Sequence, residues 1–147
     1  MIGLLLLLAF AIWRYIDTGL PNAFTTEFPS DLKVYLLGGE KVTGHQPLYA
    51  TDLLPGLPFT YPPFAGVVFS WLTESTALGI AWKALSVLVV LLVVRASTSK
   101  HALLLTAVFV LCLSPVQGTL FFGQVNLLLM GLVLSLIHIS EPTRRRG

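Results

Sequence analysis

Charge is scarce in this chain. Only 11% of its 147 residues are Asp, Glu, Lys or Arg, against roughly 25% in soluble domains, which excludes an ordinary soluble globule, a disordered tail and a nucleic-acid binder. Cysteine is nearly absent: Cys112 stands alone inside an apolar run, so neither a disulfide framework nor a cysteine-based metal site can form within one chain. The three histidines, His45, His101 and His138, are isolated from one another and make no metal motif. Internal repeats and low-complexity tracts are missing too. What is plentiful is apolar side chain, at 55% of residues with a mean hydropathy of +0.83.

Those side chains fall into runs at 2–16, roughly 63–72, 78–94, 102–113 and 120–136, each bounded by polar residues or by Gly and Pro. The pattern predicts an all-α, polytopic membrane protein with spans near 2–16, 63–72, 78–94, 102–113 and 120–133. A straight span needs about 20 residues to cross a core of about 30 Å. The first run, at about 23 Å, is short, so its helix is expected to begin upstream of Met1. A signal peptide competes for this run, but the start carries no basic residue, and Trp13, Arg14 and Tyr15 make a poor cleavage site.

The last residues follow no turn logic. Leu134 to Arg144, LSLIHISEPTR, reads as one frame of a common transposase sequencing adapter, and 134–147 is therefore set apart as a non-native tail, with 1–133 as the native part. The alternative is a native basic tail. The net charge of +2 resides wholly in this segment: Arg144, Arg145 and Arg146 exceed Glu141 by two, and six basic residues balance six acidic ones elsewhere. No partner can be inferred from it.

Polar residues collect in one long segment, 17–61, which holds five of the seven acids: Asp17, Glu27, Asp31, Glu40 and Asp52. Phe24, Phe28, Val34, Tyr35, Leu36, Leu37, Tyr49 and Phe59 make it too apolar for a floppy linker. It is expected to fold in part and to lie against the membrane. Ser30 reads as the N-cap of a short amphipathic helix that stops at Gly38-Gly39, with Asp31 in its first turn.

Three constellations can carry chemistry. Tyr61-Pro62-Pro63 signals extended chain entering a helix; an interfacial anchor accounts for the prolines, while the Tyr61 hydroxyl could also meet a ligand. Asp31 could take a proton, since a partly desolvated carboxylate beside a bilayer is a usable base, though most loop acids are merely solvated. Gln124 and Asn126 open an apolar run, where an amide must find a partner: either another helix or a polar ligand in a cavity. Gly38-Gly39-Glu40-Lys41-Val42-Thr43 lacks P-loop spacing, and Lys83, near a span's start, can snorkel.

In order, Asp31-x-x-x-Tyr35, Gly44-His45-Gln46-Pro47-Leu48-Tyr49, Pro58-Phe59-Thr60-Tyr61-Pro62-Pro63-Phe64 and Gly123-Gln124-Val125-Asn126-Leu127 resemble the N-terminal part of glycosyltransferase family 87. The likeness covers about Ile2 to Val133, the first third of a family member. It implies a partial C-type glycosyltransferase bundle in the cell membrane, multi-pass, with 17–61 as a long first extracytoplasmic loop. It implies transfer of a hexose, mannose above all, from a polyprenyl-phosphate-sugar donor to an envelope lipid or glycan acceptor by inversion. Asp31 would be the general base, with Tyr35, Tyr49, Tyr61, Gln124 and Asn126 binding substrate, and with no metal, cofactor or nucleic acid involved. The fragment alone is expected to be inactive and not to fold, because unpaired polar faces would be left in lipid.

Simple alternation of five spans creates a conflict. It puts Arg95, Lys100 and His101 outside and residues 123–126 inside, against the positive-inside tendency and away from Asp31. Either 63–72 does not fully cross or the amides are structural. Two other functions stay open: a transporter or channel subunit with Gln124 and Asn126 on the substrate path, and a non-catalytic assembly protein. The spans hold no ionisable residue deep in the bilayer, which ion-coupled carriers usually need.

Overall fold

The computed structural model describes residues 2–17 and 25–140, without the side chains of 14, 15, 17 and 138–140. Residues 18–24 of the polar segment and 141–147 of the adapter-like tail lie outside the described residues. Among the described residues seven helices follow one another: α1 (Ile2–Asp17), α2 (Ser30–Thr43), α3 (Pro63–Phe69), α4 (Thr76–Ser97), α5 (Leu103–Leu111), α6 (Ser114–Phe122) and α7 (Asn126–Ser140). Among the described residues the only β pairing is an isolated bridge between Leu54 and Leu57. The chain divides into two compact units, Thr25–Trp82 on the one hand and Met1–Phe24 with Lys83–Gly147 on the other.

In Thr25–Trp82, α2 starts one residue away from its expected cap. Pro29, extended at φ −65° and ψ 132°, occupies the N-cap position, and no side chain caps the helix. Proline's fixed φ already sets the extended entry, so Ser30 becomes the first helical residue and its hydroxyl is not used as a cap. The Pro29 carbonyl accepts the Lys33 N–H at 3.0 Å. Asp31 does lie in the first turn, where the helix dipole favours an anion.

The expected stop at Gly38-Gly39 does not occur, and α2 runs on to Thr43. These glycines serve close approach rather than termination. A Cβ on Gly38 would collide with the Phe59 ring, and one on Gly39 would stand 2.6 Å from the Ser70 nitrogen. On the facing helix a Cβ on Gly66 would come within 2.7 Å of Val42 Cγ2. Helical glycine costs about 1 kcal/mol relative to alanine, and here it lets the α2 and α3 backbones touch. The true end lies later: the Gln46 N–H reaches the Lys41 carbonyl at 2.9 Å and the His45 N–H the Val42 carbonyl at 3.2 Å, a Schellman arrangement with His45 left-handed at φ 53°.

Val34, Leu48 and Phe59 form the centre of this unit, with Val42, Leu53, Leu54, Tyr61 and Ala65 packed around them. Pro62 caps α3 and Pro63 opens it, as the double proline predicts. With seven residues, α3 is about 10 Å long, so the run at 63–72 is not a straight span.

The second unit is aliphatic. α1 packs on α5, and Val90, Val94, Ala107, Leu120 and Leu127 make its core. Among the described residues α4, with 22 residues, is the one helix long and apolar enough to cross a membrane by itself. Lys83, expected to snorkel, is instead buried at 9% exposure. α5 and α6 pass the same test only as a pair, bent by 64°. Pro115 has no N–H to continue α5, and the Gln117 side-chain amide donates to the Leu111 carbonyl that the break frees.

The run at 120–136, expected as one span, is also broken. Gly123 ends α6 at φ 72°, and both its N–H and that of Gln124 return to the Thr119 carbonyl at 3.0 Å. Continuity of apolar residues did not carry the helix across a left-handed glycine. α7 then continues through 134–140, the first half of the adapter-like stretch.

Candidate active site

One turn of α2 separates Asp31 from Tyr35, so both occupy the same helix face. Opposite them runs the chain that leads into Pro62-Pro63. Together Asp31, Val34, Tyr35, Leu57, Pro58, Thr60 and Tyr61 enclose a cavity of about 160 Å³. Tyr35 is the most deeply buried of these, at 1% exposure, and its hydroxyl shares a 2.8 Å hydrogen bond with that of Tyr61. The two rings meet edge to face, centroids 4.8 Å apart at 88°, a favoured aromatic geometry. Phe69 backs Tyr35 from α3, with centroids 4.8 Å apart.

Asp31 is half-buried, and among the described residues its carboxylate accepts no hydrogen bond and joins no ion pair. The nearby cation Lys33 is engaged elsewhere, 3.1 Å from Glu74. A carboxylate with vacant lone pairs beside two linked hydroxyls can accept a proton from a hydroxylated ligand while the tyrosines hold its neighbouring oxygens.

Tyr49 is not part of the cavity wall. Its hydroxyl donates to the Tyr61 carbonyl at 2.7 Å, which pins the segment that carries Tyr61. Gln124 and Asn126 belong to the other unit, at the α6–α7 turn. There the Asn126 Nδ2 donates to Gln124 Oε1 at 3.2 Å, and the Thr119 hydroxyl lies 3.4 Å from the same oxygen.

Leu57, Pro58 and Thr60 are cavity residues that sequence reasoning missed. The proline-rich stretch signalled an extended approach to α3 but not that its side chains would close over Asp31. A second, more polar cavity of about 300 Å³, lined by Leu37, Glu40, Lys41, Gln46, Thr51, Asp52 and Leu53, was also missed. Between the two lies a tight turn in which Asp52 accepts the Gly56 N–H at 3.2 Å; Leu53 faces one cavity and Leu57 the other.

The described residues thus combine an all-helical architecture, one membrane-length helix and an acidic, tyrosine-lined cavity. Residues 59–147 match glycosyltransferase family 87, and the chain belongs to that family. It is 32% identical to a polyprenol-phosphate-mannose-dependent alpha-(1-2)-phosphatidylinositol pentamannoside mannosyltransferase of Mycobacterium tuberculosis, over 68% of this chain and 27% of that protein. A phosphatidylinositol mannoside mannosyltransferase of the same organism and dependence is 29% identical, over 74% of this chain and 32% of the relative. A pentamannoside mannosyltransferase of Mycolicibacterium smegmatis is 29% identical over 92% of this chain and 35% of its own length. The chain therefore spans about a third of the relatives it matches. No solved structure matches it.

Proposed function

We propose that this chain is part of an integral-membrane mannosyltransferase of C-type architecture that uses a polyprenyl-phosphate-mannose donor and a mannosylated phosphatidylinositol acceptor. Family membership and the names of the relatives support the donor and acceptor classes. The observation that carries the mechanism is the Asp31 carboxylate on the wall of a cavity shared with Tyr35 and Tyr61.

In this reading an acceptor sugar hydroxyl enters the cavity and gives its proton to Asp31. Its oxygen forms a bond to the anomeric carbon of the donor as the bond from that carbon to the phosphate oxygen breaks, with inversion. Polyprenyl phosphate leaves with the electron pair and needs little acid assistance, so one base suffices. The Tyr35–Tyr61 pair orients the sugar, and Tyr49 acts through the Tyr61 backbone. Gln124 and Asn126 hold a helix end rather than a ligand.

The test is transfer of radiolabelled mannose from polyprenyl-phosphate-mannose in membranes carrying the full-length protein with Asp31→Asn. Loss of about 10² to 10⁴ in rate is expected for a missing general base, with the protein still present in the membrane. Transfer at the wild-type rate would overturn the role. Residues 134–147 are proposed to be adapter-derived, and a longer read through the locus is expected to replace them.

A further inference from the structure

The second cavity of Thr25–Trp82, about 300 Å³ in volume, has no part in the chemistry assigned to Asp31. Glu40 and Lys41 line it from α2, and Gln46, Thr51 and Asp52 line it from the chain that follows. Among the described residues the side chains of Glu40, Lys41, Gln46 and Thr51 make no hydrogen bond or ion pair, and Asp52 accepts one hydrogen bond, from the Gly56 N–H. Five polar side chains around one cavity therefore keep nearly all of their bonding capacity for a ligand.

The wall chooses the ligand. Two carboxylates against one ammonium disfavour a phosphate or other anion, and the ammonium on the same wall opposes a metal ion. What remains is a neutral molecule that donates and accepts hydrogen bonds at several points. Glu40 and Asp52 can take its hydroxyl protons, Lys41 can donate to its oxygens, and Gln46 and Thr51 can do either. Leu37 and Leu53 add an apolar patch for a C–H face, the mixture usual in small-molecule sites. A sugar carries all of these groups. Its place is set by the distance between the cavities. Along α2, Leu37, Glu40 and Lys41 follow Asp31, Val34 and Tyr35, and the nine residues from Asp31 to Glu40 make about 14 Å of helix. Between the cavities stands a held turn, in which the Leu53 N–H donates to the Leu57 carbonyl at 3.2 Å and the Leu57 N–H to the Leu54 carbonyl at 2.8 Å. A single sugar ring cannot touch both cavities, whereas successive rings of one glycan can.

We propose that the cavity at Glu40, Lys41, Gln46, Thr51 and Asp52 is an acceptor subsite, holding a mannose residue further back in the acceptor glycan than the one presented to Asp31. This role rests on the mannosyltransferase reading and adds selection by length to it. A glycan of several sugars gains contacts at the second cavity that a single sugar lacks, so the enzyme prefers acceptors that already carry mannose. Asp31 does not enter that preference.

Binding of free sugars to the full-length protein in nanodiscs, titrated by saturation-transfer NMR, tests this without turnover. The wild type is expected to bind mannotriose about tenfold more tightly than methyl mannoside, the gain from one further hydrogen bond to a charged group. Glu40→Ala combined with Gln46→Ala, both at exposed positions, is expected to bring that ratio close to one. Thr51→Ala, made separately at another exposed position, is expected to lower it a few-fold, so the outcome does not hang on the folding of one variant. Asp31→Asn is expected to keep the ratio. Equal affinity of the wild type for the two sugars, an unchanged ratio in the double variant, or displacement of mannotriose by myo-inositol more readily than by methyl mannoside would each overturn the subsite. Mannosyl transfer by Asp31→Asn at the wild-type rate, with the ratio intact, would remove the base and leave the subsite standing.

Discussion

At the breaks on either side of α6 polar side chains stand where a helix ends, whereas along α2 and its partner segment Asp31, Tyr35 and Tyr61 border a cavity. Gln117 bonds the carbonyl freed at the α5–α6 bend, Thr119 donates to the Pro115 carbonyl within α6, and Asn126 donates to Gln124 where α6 gives way to α7. Gln117, Gln124 and Asn126 each stand at a break in a helix, although the Gln117 Oε1 is itself buried without a partner among the described residues. The Asp31 carboxylate, by contrast, has no hydrogen-bond or ion-pair partner among the described residues, and the hydroxyls of Tyr35 and Tyr61, which line the same cavity, are tied to each other. Polar groups near a membrane are therefore poor site markers by type alone. Whether they complete a helix end or stand at a cavity separates the two uses.

The largest expected effect bears on that division. Asp31→Asn should lower mannosyl transfer by about 10² to 10⁴, while Gln124→Ala should leave the rate within a few-fold of wild type; equal losses in the two variants would erase the distinction. Next comes packing. Gly39→Ala gains about 1 kcal/mol of helix propensity but drives a methyl into the Phe69–Ser70 backbone, and such overpacking costs about 1–3 kcal/mol. A lower unfolding temperature of the full-length protein in detergent is expected, and an unchanged one would show that α2 and α3 can separate cheaply.

Smaller effects are expected in the aliphatic unit. Gln124→Ala removes the acceptor of the Asn126 amide and should cost about 1 kcal/mol or less, read as a modest fall in the same unfolding temperature. Gly118 lies in α6 with nothing near enough to meet a Cβ, so Gly118→Ala should be neutral or stabilise by up to about 1 kcal/mol. A destabilised Gly118→Ala would mean that α6 is packed as closely as α2.

What the sequence made legible was local and chemical. The double proline announced α3, Asp31 was correctly placed in the first turn of α2, and the i, i+4 spacing of Asp31 and Tyr35 implied a shared face. Gly38-Gly39 was misread because a missing Cβ permits both a helix end and a close crossing, and only Phe59, Phe69 and Ser70, distant in sequence, decide between them. The 120–136 run looked continuous because hydropathy is blind to the sign of φ at Gly123. Lys83 reads as able to snorkel from near a span's start, and its burial depends on neighbours that a linear reading does not supply. Cavity walls such as Thr60 were hidden for the same reason: closure over Asp31 is a tertiary event.

The glycine crossing of α2 and α3 also has a mechanical meaning. Where side chains separate two helices, rotamer changes let one slide while the other stays. Here backbone rests against backbone at Gly39 and Ser70, while side chains such as Phe69 and Val42 fill the rest of the crossing. At that point a shift of α3 is passed to the helix that carries Asp31 with no side chain in between to absorb it, so the position of that carboxylate follows the position of α3.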